Sequence, residues 1–600
     1  MVLLLPPLLL TTAASAATPD PFALVPIFHP RPIDGMHSND VNAPFFYRPP
    51  GAKAGAWHVM SDTRPLAGGR GCQMPPSPQA QLDSGCCVGW SHYASLDLVR
   101  WVNVGCAVAN SSWFDSVGLD TGSATLVGGK PALMYPGVHP NRTGELPNWN
   151  CVGKRRDCTA NALIIATPTD YSDIWLRHWT KQPKPAITCR NGRCPMNESG
   201  YIDDPSTAWR DPTSQRYFAT FGSGSMERKE GGGTQALLCS SPDYYSNWTC
   251  SDLLWIFGSN TSTPPKGSQP DGGAVFGHPG GNAIACPDFY QLPPPHDDLW
   301  VYEAGLEPDK GSSVAALEAC VGLAGCYWIG HYQPARPVAS AFAHRFQPIH
   351  PAPKAMMGGD SVGKSFWHEE SQRRLLWSSH SIGSACAGKC DAVLSVAKMV
   401  SYNPQAQQLM MWPAEELSLL RVGAARRLSY TTLGSGEIVL PDATGSRLDI
   451  EATFSVPASF AGRVGIRTLC EGAVAAPNSS DTGCSAPDAL VCVNASTTDG
   501  RAVAMLAGHT MALNLLPTGA AQNHTLLQLR LIMDGASMEL FVNGGLASVS
   551  GAVAMSQLAL QRAMGSGIVR LFATGKGVKA VGVVAEAHTL RVENVQAPFI

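Results

Sequence analysis

Short apolar runs separated by turn residues dominate the chain from residue 20 to about 415. Ala56-Trp57-His58-Val59-Met60, Asn161-Ala162-Leu163-Ile164-Ile165-Ala166, Arg216-Tyr217-Phe218-Ala219-Thr220-Phe221 and Arg373-Arg374-Leu375-Leu376-Trp377-Ser378 are rich in aromatic and branched side chains. Gly, Pro, Asp and Ser bound them, which is the pattern of strands. No apolar period of 3.6 residues is sustained long enough to predict a long helix here. Strands at this density over such a length predict a sandwich, barrel or propeller, and a propeller absorbs the length best. No fixed-period repeat counts the blades. Polar, Pro/Gly-rich insertions at 65–85, 138–158 and 260–282 read as surface loops. Around 405–427 the texture becomes more helical, and 416–430 reads as a linker. Alternation then returns in Arg447-Leu448-Asp449-Ile450-Glu451-Ala452-Thr453-Phe454 and Leu529-Arg530-Leu531-Ile532-Met533-Asp534. Half-buried antiparallel strands of this kind predict a second, all-β sandwich domain over 431–600.

Composition adds the compartment. A chain of 600 residues exceeds one ordinary core, so two large domains are expected. With 15% charged residues and a net charge of −3, there is no basic stripe for a nucleic-acid partner. Residues 1–17 hold the apolar run Val2–Leu10 and end in Ala14-Ser15-Ala16, the pattern of a signal peptide. That run is too short and too broken by proline for membrane insertion, and no other stretch is long enough to span. Sequons at Asn110, Asn141, Asn197, Asn247, Asn260, Asn478, Asn494 and Asn523 agree with secretion. So do the 18 cysteines, with close pairs Cys151/Cys158, Cys189/Cys194 and Cys386/Cys390. The spacings of structural zinc sites are absent, so disulfides rather than a metal are expected, and the pairing stays open. No cofactor is predicted, and the oligomeric state is not encoded legibly.

The candidate chemistry begins at Asn39-Asp40-Val41-Asn42-Ala43-Pro44, just before Phe45-Phe46-Tyr47. An acid flanked by two asparagines, with proline behind, is a carboxylate held at the mouth of a strand. Four further stretches follow: Gly89-Trp90-Ser91-His92-Tyr93-Ala94-Ser95-Leu96-Asp97-Leu98, Thr121-Gly122-Ser123-Ala124-Thr125, Trp209-Arg210-Asp211-Pro212 and Ala285-Cys286-Pro287-Asp288-Phe289. In this order they resemble the N-D-P-N-G, W-G-H-x-x-S-x-D-L, x-G-S-A-T, R-D-P and E-C-P-D-F motifs of glycoside hydrolase family 32, the invertases and fructan hydrolases. Asp534-Gly535-Ala536-Ser537-Met538-Glu539-Leu540-Phe541 is similar to the sandwich strands of its plant-type members. The resemblance implies a five-bladed β-propeller followed by a β-sandwich. It also implies a retaining cleavage of β-fructofuranosides such as sucrose or fructans, outside the cell, in the cell wall or in the vacuole. By motif Asp40 is the nucleophile and Asp211 binds the sugar hydroxyls. Asn39, Asp62, Trp90, Ser123 and Arg210 are expected to touch substrate.

One departure bears on activity. The acid/base glutamate of E-C-P-D-F aligns with Ala285, and losing a general acid costs about 10²–10⁴-fold. Two readings follow: an active β-fructofuranosidase, or a propeller that binds fructose-containing glycans without turnover. Asp62 and Asp120 stand where the resemblance expects a glutamine and an aromatic. Either could take over proton transfer if it lies within about 8 Å of Asp40. His58 and His92 read as core histidines, and Cys286 as buried. Gly358-Gly359-Asp360-Ser361-Val362-Gly363-Lys364-Ser365 has the letters of a phosphate loop without the strand and helix it needs.

Overall fold

The computed structural model describes residues 25–66, 72–140, 159–188, 204–224, 237–253, 255–256, 281–308, 322–334, 345–350, 353–361, 363–383, 389–433, 436–470, 490–515, 524–552 and 568–592. Five sheets succeed one another along the first two thirds of the chain. The first blade is Met36–Tyr47, Ala56–Pro65, Gly89–Ser95 and Val102–Ala109, each antiparallel to the next. The second is built on Ser123–Val127, Lys130–Pro140 and Thr159–Pro168. The third is built on Trp209–Arg210, Tyr217–Phe221, Leu237–Ser241 and Thr249–Leu253. The fourth is built on Gly281–Gln291, Trp300–Pro308 and Gly322–Gln333. The fifth is Lys364–His368, Arg373–Trp377, Lys398–Asn403 and Gln408–Pro413.

The apolar clusters between sheets close the ring. Met134, Ile165, Phe221 and Leu237 join second to third blade. Phe218, Leu238, Phe289 and Tyr302 join third to fourth. Tyr290, Val301, Leu376 and Val400 join fourth to fifth. A further cluster holds Phe45, Trp90, Leu133, Leu375 and Trp377, so the first blade is packed between the second and the fifth. Each such buried side chain contributes about 1.5–3 kcal/mol. The architecture is a five-bladed β-propeller followed by a β-sandwich.

The sandwich comprises two six-stranded sheets. In Arg447–Pro457 the side chains of Leu448, Ile450, Ala452, Phe454 and Val456 enter its core, as the alternation predicts. The expected linker 416–430 is different. A six-residue 3-10 helix, Glu415–Leu420, leads directly into the strand Arg421–Thr432, which pairs with Gly582–Leu590. That strand is an edge with few buried side chains, so no apolar period marked it as sandwich.

The two domains meet at buried charges. The backbone N–H groups of Ile27, Phe28 and His29 donate to the Asp534 carboxylate. The His29 ring bridges Asp534 at 2.9 Å and Glu539 at 3.0 Å. Lys398 of the fifth blade pairs with Asp360 at 2.7 Å and lies 3.4 Å from Glu539. Paired in this way, buried charges avoid the large cost of standing alone.

Of the expected loops, 65–85 holds a seven-residue helix, Pro78–Ser84, capped by Ser77 and ended by left-handed Gly85. Disulfides Cys72–Cys86 and Cys87–Cys106 tie this region down, and Cys239, Cys326 and Cys390 are also disulfide-bonded. The pairs Cys151/Cys158 and Cys189/Cys194, Cys386, the expected signal peptide and most of the other two insertions lie outside the described residues. Among the described residues no helix is long and apolar enough to cross a membrane.

Candidate active site

Every blade delivers a residue to one recess. Asp40 lies where the pairing of Met36–Tyr47 with Ala56–Pro65 slips twice, between Ser38 and Val41 and again between Asn42 and Phe45. Ala43 is left-handed at φ 47°. These bulges re-aim the strand. The Thr121 hydroxyl of the second blade donates to Asp40 Oδ2 at 3.0 Å and lies 3.3 Å from Asp62 Oδ2. Asn42 locks the arrangement. Its Nδ2 donates to Asp62 Oδ1 at 2.9 Å and to the Asp40 carbonyl at 3.2 Å, and its Oδ1 accepts from Gly122 N at 2.6 Å.

From the fourth blade, Cys286 sits in a bulge with φ 50° and points its thiol at Asp40 Oδ2, 3.6 Å away. Its backbone N–H donates to Asp204 Oδ2 at 2.8 Å. Asp204 enters the third blade and is 4% exposed. The fifth blade supplies Lys364, fully buried, whose Nζ donates to the carbonyls of Pro287 at 2.9 Å and Pro205 at 3.2 Å. The letters of a phosphate loop thus encode a lysine that pins the residues following Cys286 and Asp204.

The charges divide the acids. Burial leaves Asp40 above its ordinary value, although hydrogen bonds from Thr121 and Cys286 and the nearby Lys364 charge reduce the rise. Burial and then the neighbouring Asp40, Asp120 and Asp204 push Asp62 well above the usual carboxylate range, against a smaller opposite effect of Asn42. The Cys286 thiol is raised by burial and by Asp204 and Asp40, so it is a neutral donor and not a thiolate nucleophile.

Several expected contacts fall elsewhere. Asp211 occupies the turn between Trp209–Arg210 and Tyr217–Phe221, where its Oδ2 accepts from the Ser214 N–H and hydroxyl at 2.6 Å each. Ser206 O accepts from Ser123 Oγ, and Ala208 N donates to Thr125 Oγ1. The chain leaving Asp204 therefore runs beside Ser123–Val127 and away from Thr121, and Asp211 is carried out of the recess. Arg210 is exposed and stacks over Tyr217 at 5.7 Å. The place expected for Asp211 is taken by Asp204. The sequence did hold the signal, a second Asp-Pro pair at Asp204-Pro205, but Asp203 precedes it where the motif has arginine.

Trp90 is wholly buried against Tyr135 and under Gly122, and the Ser123 hydroxyl is spent on Ser206. Both frame the recess rather than face it. Asn39 is exposed beside Asp40. Ala285 precedes the bulge and pairs with Gly305. His58 and His92 bond each other at 2.9 Å in the core, and burial pulls both below the ordinary imidazole range, His92 to about 3. No group of His, Cys, Asp or Glu among the described residues could hold a metal ion.

The sequence model of the glycosyl hydrolases family 32 N-terminal domain matches residues 78–413, and that of the family 32 C-terminal domain matches 420–588. The chain belongs to glycosyl hydrolase family 32. Asp40 and Asp62 precede the matched residues, so their place in a family 32 site rests on the motif and the geometry. Curated relatives include beta-fructofuranosidase, insoluble isoenzyme 1, of Daucus carota, 24% identical over 436 residues, which are 70% of this chain and 60% of the relative. Fructan 1-exohydrolase of Aegilops tauschii is 25% identical over 386 residues, 61% of this chain and 54% of the relative. The chain thus spans about 60% of the length of the relatives it matches. Among solved structures, fructan 1-exohydrolase IIa from Cichorium intybus aligns with a TM-score of 0.67 at 18% identity, covering 96% of this chain and 98% of that one. The fructosyltransferase from A. japonicus aligns at 0.65 with 13% identity, covering 95% of each chain. At such identities the likeness is one of fold, and it is the family 32 propeller and sandwich.

Proposed function

We infer that this family 32 chain is a secreted β-fructofuranosidase, cleaving terminal β-D-fructofuranosyl residues of sucrose or fructans with retention of configuration. The observation that carries this reading is the convergence of Asp40 and Asp204 on one recess, held by residues from all five blades. Asp40, which accepts from the Thr121 hydroxyl and the Cys286 thiol, attacks the anomeric C2. Asp204, buried and bonded to the Cys286 N–H, binds ring hydroxyls and steadies the oxocarbenium-like charge. Secretion is supported by the leader pattern, the sequons and the disulfides at Cys72–Cys86 and Cys87–Cys106.

Ala285 favours a second reading, a propeller that binds fructosides without cleaving them. Purified protein with sucrose and with inulin separates the two. Fructose release that falls at least 10³-fold in Asp40→Asn supports the hydrolase. Saturable binding with no release, in the parent and the variant alike, supports the binding protein. With Ala285 at this position, the proton for a departing sugar oxygen must come from another group.

A further inference from the structure

We propose that Asp62 is the general acid/base of this site, taking the role left open at Ala285; this rests on the β-fructofuranosidase reading above. Both carboxylates of a retaining pair must reach one anomeric centre, about 5–5.5 Å apart. Asp40 Oδ2 and Asp62 Oδ2 contact the same Thr121 hydroxyl at 3.0 and 3.3 Å, so they can be separated by no more than those two contacts end to end. That lies inside the 8 Å limit set from the sequence.

The hydroxyl also fits the two protonation states required. It has one hydrogen to donate and lone pairs to accept with. Donating to ionised Asp40, it can accept the hydrogen of a protonated Asp62. Asp62 Oδ1 meanwhile accepts from Asn42 Nδ2, and Asn42 is fixed by Gly122 N. The side chain is therefore held in one orientation, as a positioned proton donor must be. The groups facing Asp62 are acidic, Asp40, Asp120 and Asp204, and they favour its neutral form beyond what burial does. Both carboxyls are raised, Asp62 further than Asp40, and in a pair so divided the one that holds its proton more tightly serves as acid and the other as nucleophile.

The step balances. Asp62 gives its proton to the glycosidic oxygen as the C2–O bond breaks toward that oxygen, while Asp40 forms a bond to C2. In the second half Asp62, now a carboxylate, takes a proton from water. The water oxygen bonds to C2 and the C2–Asp40 bond breaks. Asp40 returns as carboxylate and Asp62 as acid.

The test compares Asp62→Asn with the parent on sucrose and on β-D-fructofuranosyl fluoride, whose leaving group needs little protonation. The expected result is a loss of about 10²–10⁴-fold on sucrose and under tenfold on the fluoride. Turnover of the fluoride also proves that the variant is folded. Equal losses on both substrates would mean a binding role and overturn the assignment, as would an unchanged sucrose rate. A parent that cleaves the fluoride but not sucrose has no proton donor at all, which overturns the role of Asp62 and leaves the Asp40 pocket standing. A parent silent toward both overturns the proposed function, and the acid/base role with it.

Discussion

Two Asp-Pro pairs stand seven residues apart, and exchanging the acid of each for its amide distinguishes them. In Asp204→Asn the amide oxygen can still accept from Cys286 N, so the fold is retained and the charge alone is lost. A unit charge about 5 Å from the developing cation, at an effective dielectric near 20, is worth about 3 kcal/mol. At 1.36 kcal/mol per decade this is roughly a 10²-fold fall in kcat/KM for sucrose, similar to the loss of one preorganised transition-state contact. A second signature follows from the site. Asp204 helps to raise Asp62, so the alkaline limb of the rate profile should move to lower pH when that charge is removed. Asp211→Asn instead weakens two hydrogen bonds to Ser214, at about 0.5–1.5 kcal/mol each. Its melting temperature should fall while kcat/KM stays within about threefold. Steady-state kinetics on sucrose across pH, with thermal unfolding of both variants, settles the matter. A 10²-fold loss in Asp211→Asn with a near-normal Asp204→Asn would sink the geometric reading.

Two further outcomes concern the scaffold. A Cβ on Gly122 would meet Met134 O at 2.2 Å and the Trp90 ring at 2.8 Å. Gly122→Ala should therefore cost about 1–3 kcal/mol or more by overpacking and dislodge Thr121; denaturant unfolding that shifts by under 0.5 kcal/mol refutes this. At the domain joint, burial alone would lower His29, but Asp534 and Glu539 outweigh it and raise the imidazole from 6.5 to about 9. Its stabilisation, on the order of 3 kcal/mol, is fully present below pH 6.5 and is lost as pH rises through 9. Despite their burial, Asp534 is held low chiefly by His29, and Glu539 first by Lys398 and then by His29. Their contribution is present above about pH 4.5 and fades as pH falls. Stability should peak between these limits, and His29→Gln should flatten the alkaline side of the unfolding profile. An unchanged alkaline slope in that variant rules out His29 as the cause.

What the sequence revealed followed from local regularity. The two-residue alternation of Arg447–Phe454 gave the sandwich, and the ordered motifs gave the propeller and Asp40. What it concealed depended on through-space contact. Trp209-Arg210-Asp211-Pro212 matched a motif by all its letters, whereas Asp204-Pro205 lacks the preceding arginine, and the Cys286 N–H that reaches Asp204 from another blade is what singles it out. Lys364 stands within the letters of a phosphate loop, and only the placement of its ammonium between two proline carbonyls shows its part in the site. Trp90 and Ser123 lie on motif strands, but only their neighbours, Tyr135 and Ser206, show that they face inward. The strand Arg421–Thr432 was missed because an edge strand exposed on both faces carries no hydrophobic period.

The ring arrangement has a consequence for the order of folding. Asp40 and Cys286, in contact through a thiol and a carboxylate, are 246 residues apart in the chain. Individual blades are local antiparallel meanders and can form early, but contacts of such separation carry a large loop-closure cost and come late. Turnover should therefore return after secondary structure in a refolding experiment, because the recess exists only once the fifth blade has docked against the first.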